Sequence, residues 1–408
     1  MTFLTIPNAN LDVSSPAFKR QAHELYDRLR AQDPLHELTM PDGQRAWLTT
    51  RYDDAILALK DNERITKNLQ SLSPEDYAAV IPEKEMALIS KQMLSSDPPD
   101  HTRLRAIVSK AFTPQMIDRM ESDILRIAED LIDRIEQAGR LEAIEDFAFP
   151  LPITFISRML GIPDDDYVLF KRWSSDFIEA ANDREKLKAA YPSLQAFRLY
   201  LEELIEARRK TPGDDLISLL VQAHDNQDRL SEDELISTIW LLIVAGHETT
   251  VNLIGNGLLA LLENPDQLRL WRQDPSLSAT AVEELLRYYS PVEIATSRWA
   301  SRDFEWHGKY VRKGDLILVG LGAANRDPAQ FDDPGRLDLS RKKNKHIAFG
   351  NGIHFCLGAP LARIEGRIAL TALLRRLPDL RLSPSFAGAE WRPGILMRGL
   401  RELPIELR

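Results

Sequence analysis

Phe349-Gly350-Asn351-Gly352-Ile353-His354-Phe355-Cys356-Leu357-Gly358 is the stretch on which the reading of this chain turns, because it holds the single cysteine in 408 residues. A helical pattern opens just after it, over Pro360-Leu361-Ala362-Arg363-Ile364-Glu365-Gly366-Arg367. A sulfur at the N-terminal end of a helix meets free main-chain N–H groups and the positive end of the dipole, which favours the thiolate. Gly350, Gly352 and Gly358 remove side chains where the backbone must turn tightly or approach something flat and large. Phe349 can lie against that flat object, and Pro360 suits an early helical position that needs no N–H. A lone cysteine by itself reads as a small buried hydrophobe; the glycine spacing and the helix start tip the balance here.

Outside this stretch, composition sets the bounds. Apolar content of 44% and charged content of 28% describe an ordinary globular chain. One cysteine excludes an internal disulfide and suits a reducing cytosol, so a cytoplasmic location is expected. The first ten residues carry no basic start and no apolar core long enough for a signal peptide. No run of roughly 18 apolar residues exists, so no membrane anchor is expected. A net charge of -10 argues against nonspecific nucleic-acid binding.

Working outward, residues 15–31 read as an amphipathic helix with Phe18, Ala22, Leu25, Tyr26 and Leu29 on one face. Ala46-Trp47-Leu48-Thr49-Thr50 reads as a short strand, and residues 62–96 as a region containing a long loop. A helix begins in Asp97-Pro98-Pro99-Asp100-His101-Thr102-Arg103-Leu104-Arg105, where His101 and Arg105 share a face. On spacing alone that pair is a solvated basic helix end. Residues 115–225 read as mostly helical, broken at Pro150, Pro152, Pro163, Pro192 and Pro212-Gly213. Phe304 to Val319 reads as short strands around a Lys313-Gly314-Asp315 turn.

Ser231-Glu232-Asp233-Glu234 has the form of a capping box. The helix it opens runs to Asn264-Pro265, about 50 Å. Ala245-Gly246-His247-Glu248-Thr249-Thr250 interrupts its apolar pattern. Gly246 weakens the helix and Thr249 can bond back to the Ala245 carbonyl, both of which open or bend a helix locally. The bland reading is a polar kink without chemistry. A zinc-protease reading fails, because no second histidine follows His247-Glu248 at the required spacing. Glu284 and Arg287 lie one turn apart, a pattern common on surface helices. Arg341-Lys342-Lys343-Asn344-Lys345 is a basic cluster in an acidic chain, and such runs are usually solvated.

Phe-x-x-Gly-x-x-x-Cys-x-Gly resembles the haem-binding loop of the cytochrome P450 family, and the continuation through Glu365 resembles the soluble bacterial branch. Similar motifs run from about residue 97 to residue 401. The resemblance implies a mainly α fold with small β-sheets, the triangular helical haem-thiolate domain, spanning 1–408 as one domain. Within it, residues 62–96 would cover part of the pocket, 165–195 would form a lid, 231–264 would be the oxygen-binding helix and 349–358 the haem-thiolate loop. Cys356 would be the iron ligand of haem b, a thiolate that pushes electron density through the metal. Phe349, Gly350 and Gly358 would flank it. His101, Arg105, Arg298 and His354 would bond the haem propionates, since a guanidinium fork fits a carboxylate. Ala245 and Gly246 would leave room for dioxygen, Thr249 would hold it with its water, and Glu248 would connect that relay to solvent. Glu284 and Arg287 would form a buried pair, with Arg336 as its third member. Ile81, Leu242, Val244, Ala245, Ile294, Ala295, Ile395 and Leu396 are candidate pocket residues, and Glu293 could meet a basic substrate group or sit at a turn.

The implied reaction is insertion of one oxygen atom of dioxygen into a bulky apolar molecule, by hydroxylation or epoxidation. Macrolide or other polyketide, terpenoid and fatty-acid substrates all fit the aliphatic list. Electrons would come from NAD(P)H through a reductase and a separate ferredoxin or flavodoxin, docking on the 341–345 cluster. A monomer is expected. The alternatives are a hydrogen-peroxide-driven peroxygenase of the same fold and a non-catalytic haem-thiolate sensor or carrier. The intact Glu248-Thr249 pair argues against both, less strongly against the second.

Overall fold

The computed structural model describes residues 11–68, 71–72, 90–110, 114–163, 166–180, 184–225 and 230–407. The first half carries helices α1 (Pro16–Gln32), α2 (Tyr52–Lys60), α3 (Asp100–Ser109), α4 (Pro114–Ala138), α5 (Pro150–Leu160), α6 (Tyr167–Ala180), α7 (Arg184–Lys210) and α8 (Leu216–Asp225). Then follow α9 (Glu232–Glu263), α10 (Pro265–Gln273), α11 (Ser278–Tyr288), α12 (Leu321–Ala324) and α13 (Ala359–Arg376). The strands are β1 (Leu35–Thr39), β2 (Arg45–Thr49), β3 (Ile65–Thr66), β4 (Leu141–Glu142), β5 (Arg298–Ala300), β6 (Phe304–Trp306), β7 (Lys309–Val311), β8 (Leu316–Val319), β9 (Arg381–Leu382) and β10 (Pro404–Glu406). The fold is mainly helical with small sheets, as expected.

α9 is the axis of the molecule. It starts at the anticipated capping box, in which Ser231 accepts from the Glu234 main chain and Glu234 answers through its side chain. It is 32 residues long and buried almost all round, against α5, α11 and α13. A helix apolar on every side is stable only inside other elements. Two of its polar side chains reach other segments: Asn256 Nδ2 donates to the Arg398 carbonyl at 2.8 Å, and Thr250 Oγ1 to Glu365 of α13 at 3.1 Å. The helix stays α-helical through 245–250, so the expected local opening is confined to side-chain bonding.

A five-stranded sheet, order β1-β2-β8-β5-β3, contributes Arg298, Trp299 and Leu316 to the wall of the cavity. β2 and β8 pair in parallel, Ala46 with Leu316 through Thr49 with Val319, which joins the two ends of the chain. β10 lies between β4 and β9 in a second sheet, and β6 pairs with β7. Pro192 is a correction: it lies inside α7 instead of ending a helix. Pro150 opens α5 at a position where its missing N–H costs nothing. No helix among the described residues is long and apolar enough to cross a membrane.

Candidate functional site

Residues 347–359 fold back on themselves before α13. Cys356 N–H donates to the Phe349 carbonyl at 3.0 Å, and Gly350 N–H to Ile347 at 2.9 Å. Gly350 and Gly352 both have φ of 71°, a region that disfavours side chains. At Gly352 a Cβ would also stand 2.4 Å from the Leu59 carbonyl, so α2 presses directly on the loop. The Cys356 sulfur opens onto a cavity of about 550 Å³. Burial pushes its thiol up, against the pull of the Gly358 and Ala359 main-chain N–H groups and of Arg105 and Arg363.

Behind the loop is an ion cluster that sequence did not single out. Arg363 stands 4.6 Å from the Phe349 ring and bonds both oxygens of Glu283, at 2.7 and 2.9 Å. His346 Nε2 donates to Glu283 at 3.1 Å while its Nδ1 accepts from Ala348 N–H at 3.2 Å, which fixes the tautomer. Burial would raise the Glu283 carboxyl, but His346 and Arg363 hold it down at about 2. Deeper still, Glu284 and Arg287 are fully buried and joined through two bonds, at 2.7 and 2.8 Å. Arg336 is exposed and reaches Arg287 only through its carbonyl, at 3.1 Å. The second guanidinium on Glu284 is that of Arg341, at 3.1 Å, with Asn344 beside it. This corrects the expected third member, and it withdraws Arg341 from the basic surface cluster. Lys342, Lys343 and Lys345 remain exposed.

Two guanidinium groups and two histidines border the same cavity. His101, Arg105, Arg298 and His354 all line it, and the two histidine rings are 4.5 Å apart. Arg105 donates to the Phe355 carbonyl at 2.8 Å, bracing the cysteine loop. Arg298 spends one N–H on the Thr296 carbonyl at 2.7 Å. The ring nitrogens of His101 make no well-formed hydrogen bond, although the Ile353 main chain lies near, and His354 Nε2 is likewise unpartnered. Burial and the surrounding cations push His354 down to about 2. Lys67, which the sequence offered no reason to choose, lines the same wall.

On the α9 side, Ala245, Gly246 and Thr249 face the cavity. Thr249 Oγ1 donates to the Ala245 carbonyl at 3.0 Å, as the sequence anticipated. A Cβ on Gly246 would approach Ile156 Cδ1 of α5 at 3.0 Å, so the glycine serves close helix packing as well as cavity width. Glu248 does not run free toward solvent: Arg392 bonds it at 3.2 and 3.3 Å and Ser175 of α6 at 3.3 Å. Its neighbour His247 is fully buried, with Nδ1 on the Ile243 carbonyl at 2.7 Å and Nε2 on Ser174 at 3.1 Å. α6 is thus tied to α9 at two consecutive residues. The Arg392 main chain is fixed in turn by Lys19 of α1, whose ammonium donates to its carbonyl at 2.7 Å.

Leu242, Val244, Ala245, Ala295 and Leu396 line the cavity as expected, with Phe177, Trp240, Met93 and Met397 among the other walls. Ile294 and Ile395 do not; both are buried in the core beside α1 and β2. Glu293 is also structural, paired with Arg398 in the interior. Ile81 lies outside the described residues.

These elements define a cysteine-loop, long-helix protein with two guanidinium groups and two histidines bordering an apolar cavity. The chain belongs to the cytochrome P450 family: the family model "Cytochrome P450" matches residues 156–378. It is an enzyme of the monooxygenase class. It is 46% identical over 395 residues to a cytochrome P450 of Bacillus subtilis, covering 96% of both chains. It is 43% identical to the polyketide biosynthesis cytochrome P450 PksS of Bacillus subtilis, again over 96% of both. Among solved structures, myxobacterial cytochrome P450 CYP267B1 in complex with myristic acid superposes with a TM-score of 0.92 at 43% identity, covering 97% of this chain and 98% of that one. The family implies a haem-thiolate cofactor, and the site fits one. A sulfur faces a wide apolar slot, and unpartnered buried nitrogens and guanidinium donors stand where two carboxylates could be received.

Proposed function

We propose that this enzyme oxidises a bulky, mostly apolar small molecule of polyketide, macrolide or fatty-acid type, inserting one atom of dioxygen. The observation that carries the reading is one cavity walled by Cys356, by Thr249 and by aliphatic side chains. The polyketide relative and the myristate-bound neighbour support the substrate class.

Cys356 would hold haem iron, with Phe349, Gly350 and Gly358 shaping the loop, and His101, Arg105, Arg298 and His354 would receive the propionates. When bound, the cofactor supplies oxygen activation, to which thiolate ligation lends electron density. Everything else falls to the chain. Leu242, Val244, Ala295 and Leu396 exclude water and hold the substrate by apolar contact. Thr249 orients water beside Ala245 and presents a hydroxyl proton to the reacting centre. Glu248, once loosened from Arg392 and Ser175, takes a proton from solvent water and passes it on to restore the Thr249 hydroxyl. α6 and the start of α7 act as the lid, because Phe177 and Leu187 line the cavity. Electrons reach the protein from NAD(P)H through a reductase and an acidic ferredoxin or a flavodoxin, which docks on Lys342, Lys343 and Lys345.

The test is spectroscopic. The reduced carbonyl adduct of the haem-loaded protein should show a thiolate-type band, and C356H an imidazole-type one. Macrolides, linear polyketides and fatty acids are then screened for a spin-state shift. A colourless protein after reconstitution, or an imidazole-type band in the wild type, ends the reading.

A further inference from the structure

Lys67 directly follows β3, is 5% exposed, and contributes to the cavity wall. Its ammonium donates to Thr296 Oγ1 at 2.6 Å and to the Ser297 carbonyl at 3.3 Å. An ammonium has three donors, so one remains. Arg298, also 5% exposed, uses one of its five N–H groups on the carbonyl of the same Thr296. Thr296 therefore serves both cations, hydroxyl to one and carbonyl to the other.

Among the described residues, no carboxylate lies within ion-pair distance of Lys67 or Arg298. Asp97 is the acid whose field reaches both. Its oxygens are occupied by the Thr66 hydroxyl and by the main-chain N–H groups of Lys67 and Asn68. Burial first, and then the field of Arg298, lower the Lys67 ammonium well below its ordinary pKa. Burying like charges together without a counter-ion is costly, and an anion that enters with hydrogen-bond geometry relieves that cost. The Asp97 turn also holds the Lys67 main chain three residues before α3, so the segment that places His101 places this ammonium too.

We propose that Lys67 is a carboxylate-binding group of the cofactor cradle, acting with Arg298 on either side of Thr296 to take a haem propionate. The assignment rests on the haem-thiolate reading above. It places two buried donor groups on either side of Thr296, which suits a dianionic ligand better than Arg298 alone.

The experiment measures haem release into excess apomyoglobin from wild type, K67M, K67Q and K67R, each loaded with haem or with haem dimethyl ester, which lacks the carboxylates. K67M and K67Q should release natural haem roughly 10- to 100-fold faster than wild type, the worth of a charge-assisted hydrogen bond. K67R should stay near wild type. On the ester, all four should release alike. Thermal unfolding of the apo-proteins should show K67M at least as stable as wild type, because it loses an uncompensated buried charge. Equal acceleration on both haems would assign Lys67 to holding the 296–297 main chain and overturn the proposal, as would unaltered release from K67M and K67Q. A thiolate-type band in the wild type with either result overturns this assignment alone; an imidazole-type band overturns the thiolate reading and this assignment with it.

Discussion

Glu248 is the buried end of an ion pair whose solvent-facing end is Arg392, the two side chains being 4% and 25% exposed. The partners come from α9 and from the C-terminal loop, and Ser175 adds a hydroxyl from α6. Three segments distant from one another in the chain thus meet on one carboxylate. Replacing Arg392 leaves that carboxylate buried and under-satisfied. R392A should lose about 2 kcal/mol of stability in denaturant unfolding. R392A/E248Q should lose clearly less than the two single changes summed, because the stranded charge is gone. Additive losses would show that the pair is not coupled.

Thr249 donates to the Ala245 carbonyl at 3.0 Å and can turn the same hydroxyl toward the cavity it lines. T249A should leave substrate-induced spectral shifts intact while product formed per reductant consumed falls about 10-fold, with peroxide rising in its place. A carrier would give no product in either form, and a peroxide-driven enzyme would be indifferent to the change.

The Glu284 cluster separates two arginines that sequence could not. R341A should cost about 2 kcal/mol, because it removes a guanidinium from a fully buried carboxylate. R336A should stay within about 0.5 kcal/mol, since an exposed side chain is lost and the carbonyl that Arg287 uses is kept. Thermal unfolding of the two variants side by side decides it.

Glu365 offers a pH test. It is 1% exposed, bonded to Thr250, and burial pushes its carboxyl from 4.5 up to about 8. The folded state therefore holds this proton more tightly than the unfolded state does. The stabilisation is complete below about pH 4.5 and is lost as pH rises toward and through 8. E365Q cannot ionise, so its stability relative to wild type should climb between pH 5 and pH 8, by on the order of a few kcal/mol. Parallel stability curves for the two proteins would contradict a neutral buried Glu365.

Lys342 and Lys343 are exposed and stand shortly before the cysteine loop in the chain. If an acidic ferredoxin docks as proposed, K342E/K343E should slow reduction by it about 10-fold at low ionic strength, and the difference should shrink as salt is added. Stopped-flow reduction across a salt series reads this directly; unchanged rates at low salt would remove the docking surface.

Much of this was legible in local pattern. The cysteine loop, the capping box at Ser231 and Glu234, the bond from Thr249 to Ala245 and the start of α3 are decided by residues within a few positions of one another. Backbone sterics and short-range hydrogen bonds act at that range, so spacing is enough to read them. The partners of Glu248 and Glu283, and the second partner of Glu284, were not legible. Arg392 stands 144 residues from Glu248, and nothing in either neighbourhood names the other.

The amino-acid order by itself determined the helical architecture, the family and the chemistry-bearing loop and helix. Tertiary packing decided which way the side chains around them point. Ile294 and Ile395 were as aliphatic as Ala295 and Leu396, yet they turned into the core while their neighbours took the cavity wall. Arg341, not Arg336, reached the buried acid, and Lys67 came to rest beside Arg298. A one-residue change of direction is worth nothing to local propensity. It is set only when distant segments close on one another and each buried charge must find a partner.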